Sequence, residues 1–373
     1  MSPSSADDSR AAPTRRRRSR ITLVLIGVFS VLIVGEILTR LLPLEAFEPD
    51  QLMLDFSATR YEAHPYLAYA PRKSWSLDDG QHSTSHNALG FRGPEMRREK
   101  RPGALRIVCV GGSSTYGHGP SSNEHTWPMQ LDAMLDEAYP DVLIEVINAG
   151  ASGYSTYESL INLAIRIIDL EPDMVAVYHS INDVRLWRWP GIQPDNSHWR
   201  AVWPVYVQSP VTQALENSRL FLVLRAAFTD YTSKAELGSW VTRNYGEVEP
   251  LWDAPQMEGL TFFRRNLEHM IALCRQNDVE IALGQQAWFR EDLERPVDIK
   301  GMAFAAQVID AVGEEVGVAV VDVDAALPQE RELFTNDVHV TDEGARGIAR
   351  AWADFIEVDG FVERRLNHFR EER

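Results

Sequence analysis

Leu105-Arg-Ile-Val-Cys-Val-Gly-Gly-Ser-Ser-Thr-Tyr-Gly-His-Gly119 changes character halfway along. Ile107 to Val110 is an uninterrupted apolar run, and two glycines and two serines end it. Such a run, followed from Trp127 by a helical pattern, predicts a buried parallel strand feeding a βα loop. Ligand sites in open α/β sheets lie beyond the carboxyl ends of the strands, where this loop belongs. Gly111 and Gly112 permit a close backbone approach that a Cβ would forbid. Ser113 is therefore the first candidate nucleophile. Two familiar motifs do not fit. A nucleophile elbow needs Gly-x-Ser-x-Gly, but Thr115 stands two positions after Ser113. Gly112 to Gly117 has P-loop spacing, yet His118 and Gly119 follow where the phosphate-binding Lys and Ser/Thr belong.

Outward from this stretch, strands and helices alternate. Leu143–Ile147, Met174–Tyr178, Glu280–Leu283 and Val318–Val321 read as strands. Trp127–Ala138, Tyr157–Leu170, Phe262–Gln276, Met302–Val316 and Asp342 to about Asp359 read as helices, the second with an apolar stripe through Leu160, Ile161, Leu163, Ala164, Ile167 and Ile168. Strands separated by helical segments of this length predict βαβ units, a parallel sheet and three α/β/α layers. Thr341 and Asp342 suit the cap of the last helix. Residues 184–256 break the pattern with Trp187, Trp189, Trp199, Trp203, Trp240 and Trp252, several prolines and one helical segment around Ser218–Phe228. They are expected to form an insertion. It is either a lid or binding loop, with aromatic residues facing substrate or membrane, or a small core of its own.

The chain has 373 residues, 45% of them hydrophobic, and a net charge of −17. Residues 1–20 carry six Arg and two Asp, leaving −21 on the remainder, and an acidic body argues against nucleic acid as a partner. Residues 1–20 are expected to be a basic, disordered tail. Residues 21–42 follow as a transmembrane helix: Ile21–Thr39 alone would span about 28 Å, close to the hydrocarbon thickness of a bilayer. Glu36 falls near one end. Four arginines, Arg15 to Arg18, precede the span and predict a cytoplasmic amino terminus with the bulk of the protein outside. A cleaved signal peptide fits less well, because Glu36-Ile-Leu-Thr-Arg-Leu-Leu-Pro43 offers no small-x-small cleavage site. Residues 43–100 read as a linker and amino-terminal extension whose Phe91 is placed to pack on the main domain. That domain covers 101–360, and 361–373 form a charged tail. Cys109 and Cys274 read as buried thiols. No metal-ligand spacing occurs, His82 and His86 included, so neither metal nor organic cofactor is expected.

Four loops at the strand ends carry suitable chemistry. They are Gly111-Gly-Ser-Ser-Thr115, Asn148-Ala-Gly-Ala-Ser-Gly153, His179-Ser-Ile-Asn-Asp183 and Phe334-Thr-Asn-Asp-Val-His-Val-Thr341. Their order resembles the SGNH (GDSL-type) hydrolase superfamily, named for a Ser, a Gly, an Asn and a His in successive blocks. Gly111-Gly-Ser-Ser-Thr-Tyr-Gly117 is similar to its Gly-Asp-Ser-Leu-Thr-x-Gly block. Gly112 replaces the usual Asp, a departure associated with a membrane-anchored or exported branch. The resemblance spans Arg106–Ala353 apart from the insertion, and implies a flavodoxin-like sheet order. It makes Ser113 the nucleophile, His339 the base, and Ser113, Gly153 and Asn182 the oxyanion hole.

Those roles agree with elementary chemistry. A serine hydroxyl needs a base to take its proton, and a histidine at neutral pH is suited to the task. The Ser113 and Gly153 N–H groups and the Asn182 amide would stabilise the tetrahedral oxyanion. The family's acid stands three residues before the histidine, a position held here by Asn336. Asp337, two residues before His339, faces the same side of an extended segment. It is the favoured third member, with Asn336 or a Ser-His dyad as alternatives. His118, His125 and His179 read as loop or packing residues. The expectation is a membrane-anchored serine esterase or acyl hydrolase working on an acyl ester or acylated glycan outside the cytoplasm. A cell-surface polysaccharide O-acyltransferase using the same site, and a non-catalytic anchored binding module, are the alternatives.

Overall fold

The computed structural model describes residues 14–41, 60–188 apart from 63, 68 and 79, 192–196, and 256–371 apart from 293–295; between 197 and 255 it describes 211, 215, 218–221, 223 and 224. Five parallel strands form the central sheet: β1 (Leu105–Gly111), β2 (Ile144–Asn148), β3 (Met174–Tyr178), β4 (Glu280–Gly284) and β5 (Ala319–Val321). Their spatial order is β2-β1-β3-β4-β5, the flavodoxin-like arrangement, and it reverses direction between β1 and β3.

Every residue of β1 and β3 is buried, so apart from Arg106 these central strands read as continuous apolar runs rather than alternating ones. The period-2 geometry nevertheless sorts their side chains between two cores. Val108, Val110, Val175 and Val177 face helices α2 (Thr156–Asn162), α3 (Ile181–Trp187), α4 (Met257–Gln276) and α5 (Pro296–Val316). Leu105, Ile107, Cys109 and Ala176 face α1 (Trp127–Ala138) and α6 (Asp342–Asp359). The second layer centres on Trp127 and Trp352, stacked at 5.8 Å and 11°. Both cysteines are buried and free. Thr341 caps α6 as expected, accepting from Gly344 N–H at 3.3 Å, whereas the Asp342 carboxylate accepts from Ser121 N–H and Oγ. The segment read as one helix over Tyr157–Leu170 passes from α2 into a π turn (Leu163–Ile167) and a 3₁₀ turn (Ile168–Leu170). It stops at Glu171 in the left-handed region, before Pro172, whose ring forbids continuation. The charged tail is also more ordered than its composition suggests. Phe361–Glu371 is a helix with Phe361 and Val362 buried, and its Arg365 pairs with buried Asp173 at 3.1 Å.

Residues 57–208 and 235–373 form one compact unit, and 1–56 with 209–234 form another. In the first, residues from Arg60 to Ala104 build two short antiparallel pairs, Tyr61–Glu62 with Ala70–Pro71 and Ser76–Asp78 with Ser83–Ser85. Phe91 is buried in the main core, as its sequence position suggested. In the second unit, the helix Thr14–Leu41 contains a stretch, Ile21–Leu41, long and apolar enough to cross a membrane, with none of its most apolar window buried. Its one acidic residue, Glu36, is not left bare. The carboxylate accepts from Ser218 Oγ at 2.7 Å and from the N–H groups of Arg219 and Leu220 at 3.0 and 2.9 Å. Residues 219–221, 223 and 224 are helical, so Glu36 satisfies the orphan donors of that helical start, and a charge inside an apolar helix acquires partners. Trp187 belongs to α3 and packs on Phe263, whereas Trp189, Trp199, Trp203, Trp240 and Trp252 lie outside the described residues.

Candidate active site

The loop after β1 does not run freely. Gly112 precedes a single helical turn, Ser113–Tyr116, closed by Gly117 at φ +99°. The turn begins at Ser113, so its N–H has no carbonyl behind it and is left as a donor. The Ser113 hydroxyl meets His339 Nε2 at 2.7 Å. Residues 226 positions apart are thus joined at hydrogen-bond distance, the geometry a base needs to take a hydroxyl proton.

The other blocks converge on the same spot. Ala151 N–H donates to Gly111 C=O at 3.1 Å, tying the second block to the first. Asn182, in the first turn of α3, donates from Nδ2 to Tyr154 C=O at 2.8 Å, beside Gly153. A primary amide has two hydrogens, so one of them remains for a substrate oxygen. Gly153 has φ +78°, a left-handed conformation that favours glycine. Among the described residues, neither the Ser113 nor the Gly153 N–H has a hydrogen-bond partner. The structure therefore gathers Ser113, Gly153, Asn182 and His339 and leaves three donors unspent.

Gly112, the departure from the usual Asp, has a local cause. A Cβ there would stand 2.5 Å from Asn182 Nδ2 and 3.0 Å from Tyr154 C=O. Any substituent at 112 must push the Asn182 amide off its seat. With Asn182 in the oxyanion role that the family resemblance implies, Gly112→Ala is expected to lower kcat by about 10²-fold, the cost of losing one such donor, with an unchanged unfolding midpoint. Wild-type kcat in a folded Gly112→Ala variant would show that Asn182 tolerates displacement.

The two candidates for the acid position are both engaged elsewhere. Asp337 lies close to His339 in sequence, but its carboxylate takes Arg185 Nη2 at 3.0 Å. Asn336 Oδ1 accepts the N–H groups of Val338 and His339 at 3.1 and 3.0 Å, holding the backbone of the histidine rather than its ring. Among the described residues no hydrogen bond joins either side chain to the imidazole. Burial lowers the His339 pKa to about 4, and the neighbouring Arg185 charge pushes it the same way.

One residue not singled out from sequence completes the support. Gln286, just beyond β4, donates to Ser114 Oγ at 2.8 Å and accepts Ile181 N–H at 3.0 Å. Ser114 Oγ donates in turn to Val338 C=O at 3.0 Å. One amide thus links the nucleophile turn, the asparagine helix and the histidine loop. Its signal was positional: a polar pair, Gln285-Gln286, at the carboxyl end of an apolar strand. The remaining histidines are structural neighbours. His179 Nε2 meets Ser159 Oγ at 2.7 Å in full burial, and His125 bonds Ser121 at the surface. His118 Nε2 meets Ser152 Oγ at 2.6 Å with its ring 5.4 Å from that of His339. Buried Asp183, its pKa raised to about 7 by desolvation, accepts Thr156 Oγ1 at 2.6 Å and Thr156 N–H, so it anchors the start of α2. Among the described residues no cluster of His, Cys, Asp and Glu is arranged to hold a metal ion.

The model of the GDSL-like Lipase/Acylhydrolase family matches residues 109–346. No curated protein matches the sequence. Solved structures similar to it include LAE5, an alpha/beta hydrolase enzyme from the metagenome of Lake Arreo, Spain. It is 18% identical with a TM-score of 0.43, covering 69% of this protein and 96% of that one. Axe2, an acetylxylan esterase from Geobacillus stearothermophilus, is 16% identical with a TM-score of 0.43, covering 68% and 94%.

Proposed function

Because the protein belongs to the GDSL-like lipase/acylhydrolase family and is an ester-bond hydrolase, we propose that it is a membrane-anchored serine esterase acting through an acyl-enzyme on Ser113. The observation that carries this reading is the 2.7 Å contact between Ser113 Oγ and His339 Nε2. His339 takes the hydroxyl proton as Oγ adds to the ester carbonyl, and returns it to the leaving alcohol as the tetrahedral intermediate collapses. A water deprotonated by the same imidazole then releases the acid. The N–H groups of Ser113 and Gly153 and the Asn182 amide hold the oxyanion in both halves. In this geometry Ser113 and His339 work as a dyad, with the Arg185–Asp337 pair alongside; Asp337 can serve the imidazole only by leaving Arg185. Residues 21–41 anchor the protein, and the arginines before them keep the amino terminus in the cytoplasm, which puts the hydrolase domain outside.

The full-length protein in detergent, treated with a fluorophosphonate and digested, is expected to carry the label on the peptide containing Ser113. A label elsewhere, or none, removes the reading. Analysis of products from an acyl ester with and without a glycan acceptor separates hydrolysis from transfer.

The pH dependence follows from the histidine. Only neutral His339 accepts a proton, and its pKa is lowered to about 4, so kcat/KM is expected to rise through about pH 4 and stay level across neutrality. Arg185→Gln removes one of the two causes of that lowering and should move the acid limb upward. A wild-type limb at or above the ordinary histidine range would contradict the buried environment. Folding stability has the same sign. His86, His118, His179 and His339 are all held neutral by burial, so their contribution is complete above the unfolded pKa of about 6.5 and declines as pH falls.

A further inference from the structure

We propose that Tyr69, from the segment preceding the hydrolase motifs, is a positioning residue of the oxyanion hole that sets which way the Gly153 N–H points; this rests on the serine-esterase reading above. Residues 151–154 form a β-turn, closed by Tyr154 N–H donating to Ala151 C=O at 3.1 Å. Gly153 is its third residue, and φ +78° there belongs to type II. Types I and II differ by a half-turn of the central peptide, here the one joining Ser152 to Gly153. In a trans peptide the C=O and N–H point to opposite edges, so whatever holds the Ser152 carbonyl also aims the Gly153 N–H.

Tyr69 holds that carbonyl. Its hydroxyl donates to Ser152 C=O, and only 1% of the residue is exposed, so no water competes for the acceptor. The tyrosine is itself fixed. Tyr154 Oη donates to the Tyr69 backbone C=O, and the Tyr69 ring lies 4.8 Å edge-on to Tyr61 and 5.4 Å from Tyr154. The rest of Ser152 is held as well, with its N–H donating to Tyr61 Oη at 3.2 Å and its hydroxyl meeting His118 Nε2. Without the Tyr69 hydroxyl, the buried carbonyl gains by turning toward another donor, and that rotation carries the Gly153 N–H away from the nucleophile. Tyr69 thereby acts on the reaction through the Ser152–Gly153 peptide.

The test is a double-mutant cycle on the full-length protein with a small aryl ester. Tyr69→Phe keeps the ring and is expected to lower kcat at least tenfold while KM stays within about twofold. Affinity for a trifluoromethyl ketone, whose adduct carries an oxyanion, should fall in proportion. Gly153→Ala, which disfavours positive φ, is expected to give the same kcat-specific loss. In that background Tyr69→Phe should cost less than about threefold more, because the donor is already misdirected. Should Tyr69→Phe fail to fold, a Gly153→Ala loss seen equally in kcat, KM and ketone affinity overturns the proposal. So does a folded Tyr69→Phe with unchanged kcat and ketone affinity, or losses that multiply independently in the double variant. Absence of labelling at Ser113 in the wild-type protein would instead remove the esterase reading on which the cycle depends.

Discussion

Ser113→Ala is expected to abolish ester hydrolysis, a loss of at least about 10³-fold in kcat, and to eliminate fluorophosphonate labelling while the protein folds normally. The magnitude follows from what the hydroxyl does. In the proposed mechanism it is the group that bonds covalently to the acyl carbon, and no other nucleophile among the described residues is held against His339 to replace it. Ser114 adjoins it, but its hydroxyl is committed between Val338 C=O and Gln286 Nε2 and lies in full burial. Ser152 is buried against His118. The fold has little at stake, because among the described residues the Ser113 hydroxyl makes one hydrogen bond, to His339. Activity and stability should therefore separate cleanly: circular dichroism and the unfolding midpoint unchanged, turnover gone. Undiminished labelling of the variant would place the nucleophile elsewhere.

Arg106→Met is expected to do the reverse and unfold the domain without touching the chemistry. Arg106 sits in β1 with no exposed surface, an expensive place for a guanidinium. It is tolerated because its donors are matched. Nε and Nη2 reach Glu145 Oε2 at 2.9 and 2.7 Å, Nη1 reaches the carbonyls of Arg98 and Leu170, and Nη2 also reaches Arg97 C=O. Methionine fills much of the volume but takes the donors from three carbonyls and from Glu145 Oε2, leaving that carboxylate, among the described residues, only its Arg101 partner at Oε1. Breaking a buried ionic network from one side costs about 3–5 kcal/mol. For a domain of this size that corresponds to a fall of about 10 °C in the unfolding midpoint. Calorimetry of the variant decides it; a fall under about 2 °C would mean water satisfies these groups after the substitution. Enzyme that remains folded should keep wild-type kcat, because the network lies at the opposite end of β1 from Ser113.

The architecture was legible because its signals are local. An apolar run punctuated by Gly-Gly-Ser-Ser predicts a buried strand and a loop, and the same logic at Met174–Tyr178 and Glu280–Leu283 yields a parallel sheet. The four chemical blocks were legible for the same reason, since a doubly wound sheet delivers every strand's carboxyl end to one edge. What composition obscured was the region before β1. Its prolines, histidines and short strands have no periodicity, yet it packs Phe91 into the core and bonds Tyr61 and Tyr69 to the backbone of Ser152.

The acid shows where spacing stops being informative. The two-residue spacing suggests an extended backbone with Asp337 on the side of His339, but the loop folds back on itself. Phe334 bridges Val340, Thr335 N–H donates to His339 C=O, and Asn336 Oδ1 accepts the Val338 and His339 N–H groups. Whether the carboxylate turns to the imidazole or to a guanidinium depends on what else stands within reach, and Arg185 is 152 positions away. The same holds for Gln286 and for Tyr69, whose partners lie 172 and 83 residues distant. By itself, then, the sequence determined the sheet and the Gly-Gly-Ser-Ser loop at its edge, because periodicity and turn chemistry act between near neighbours, while the four-block order came from the family resemblance. The tertiary structure alone decided which donor each acceptor takes, because that choice is a competition among side chains brought together only when the protein has folded.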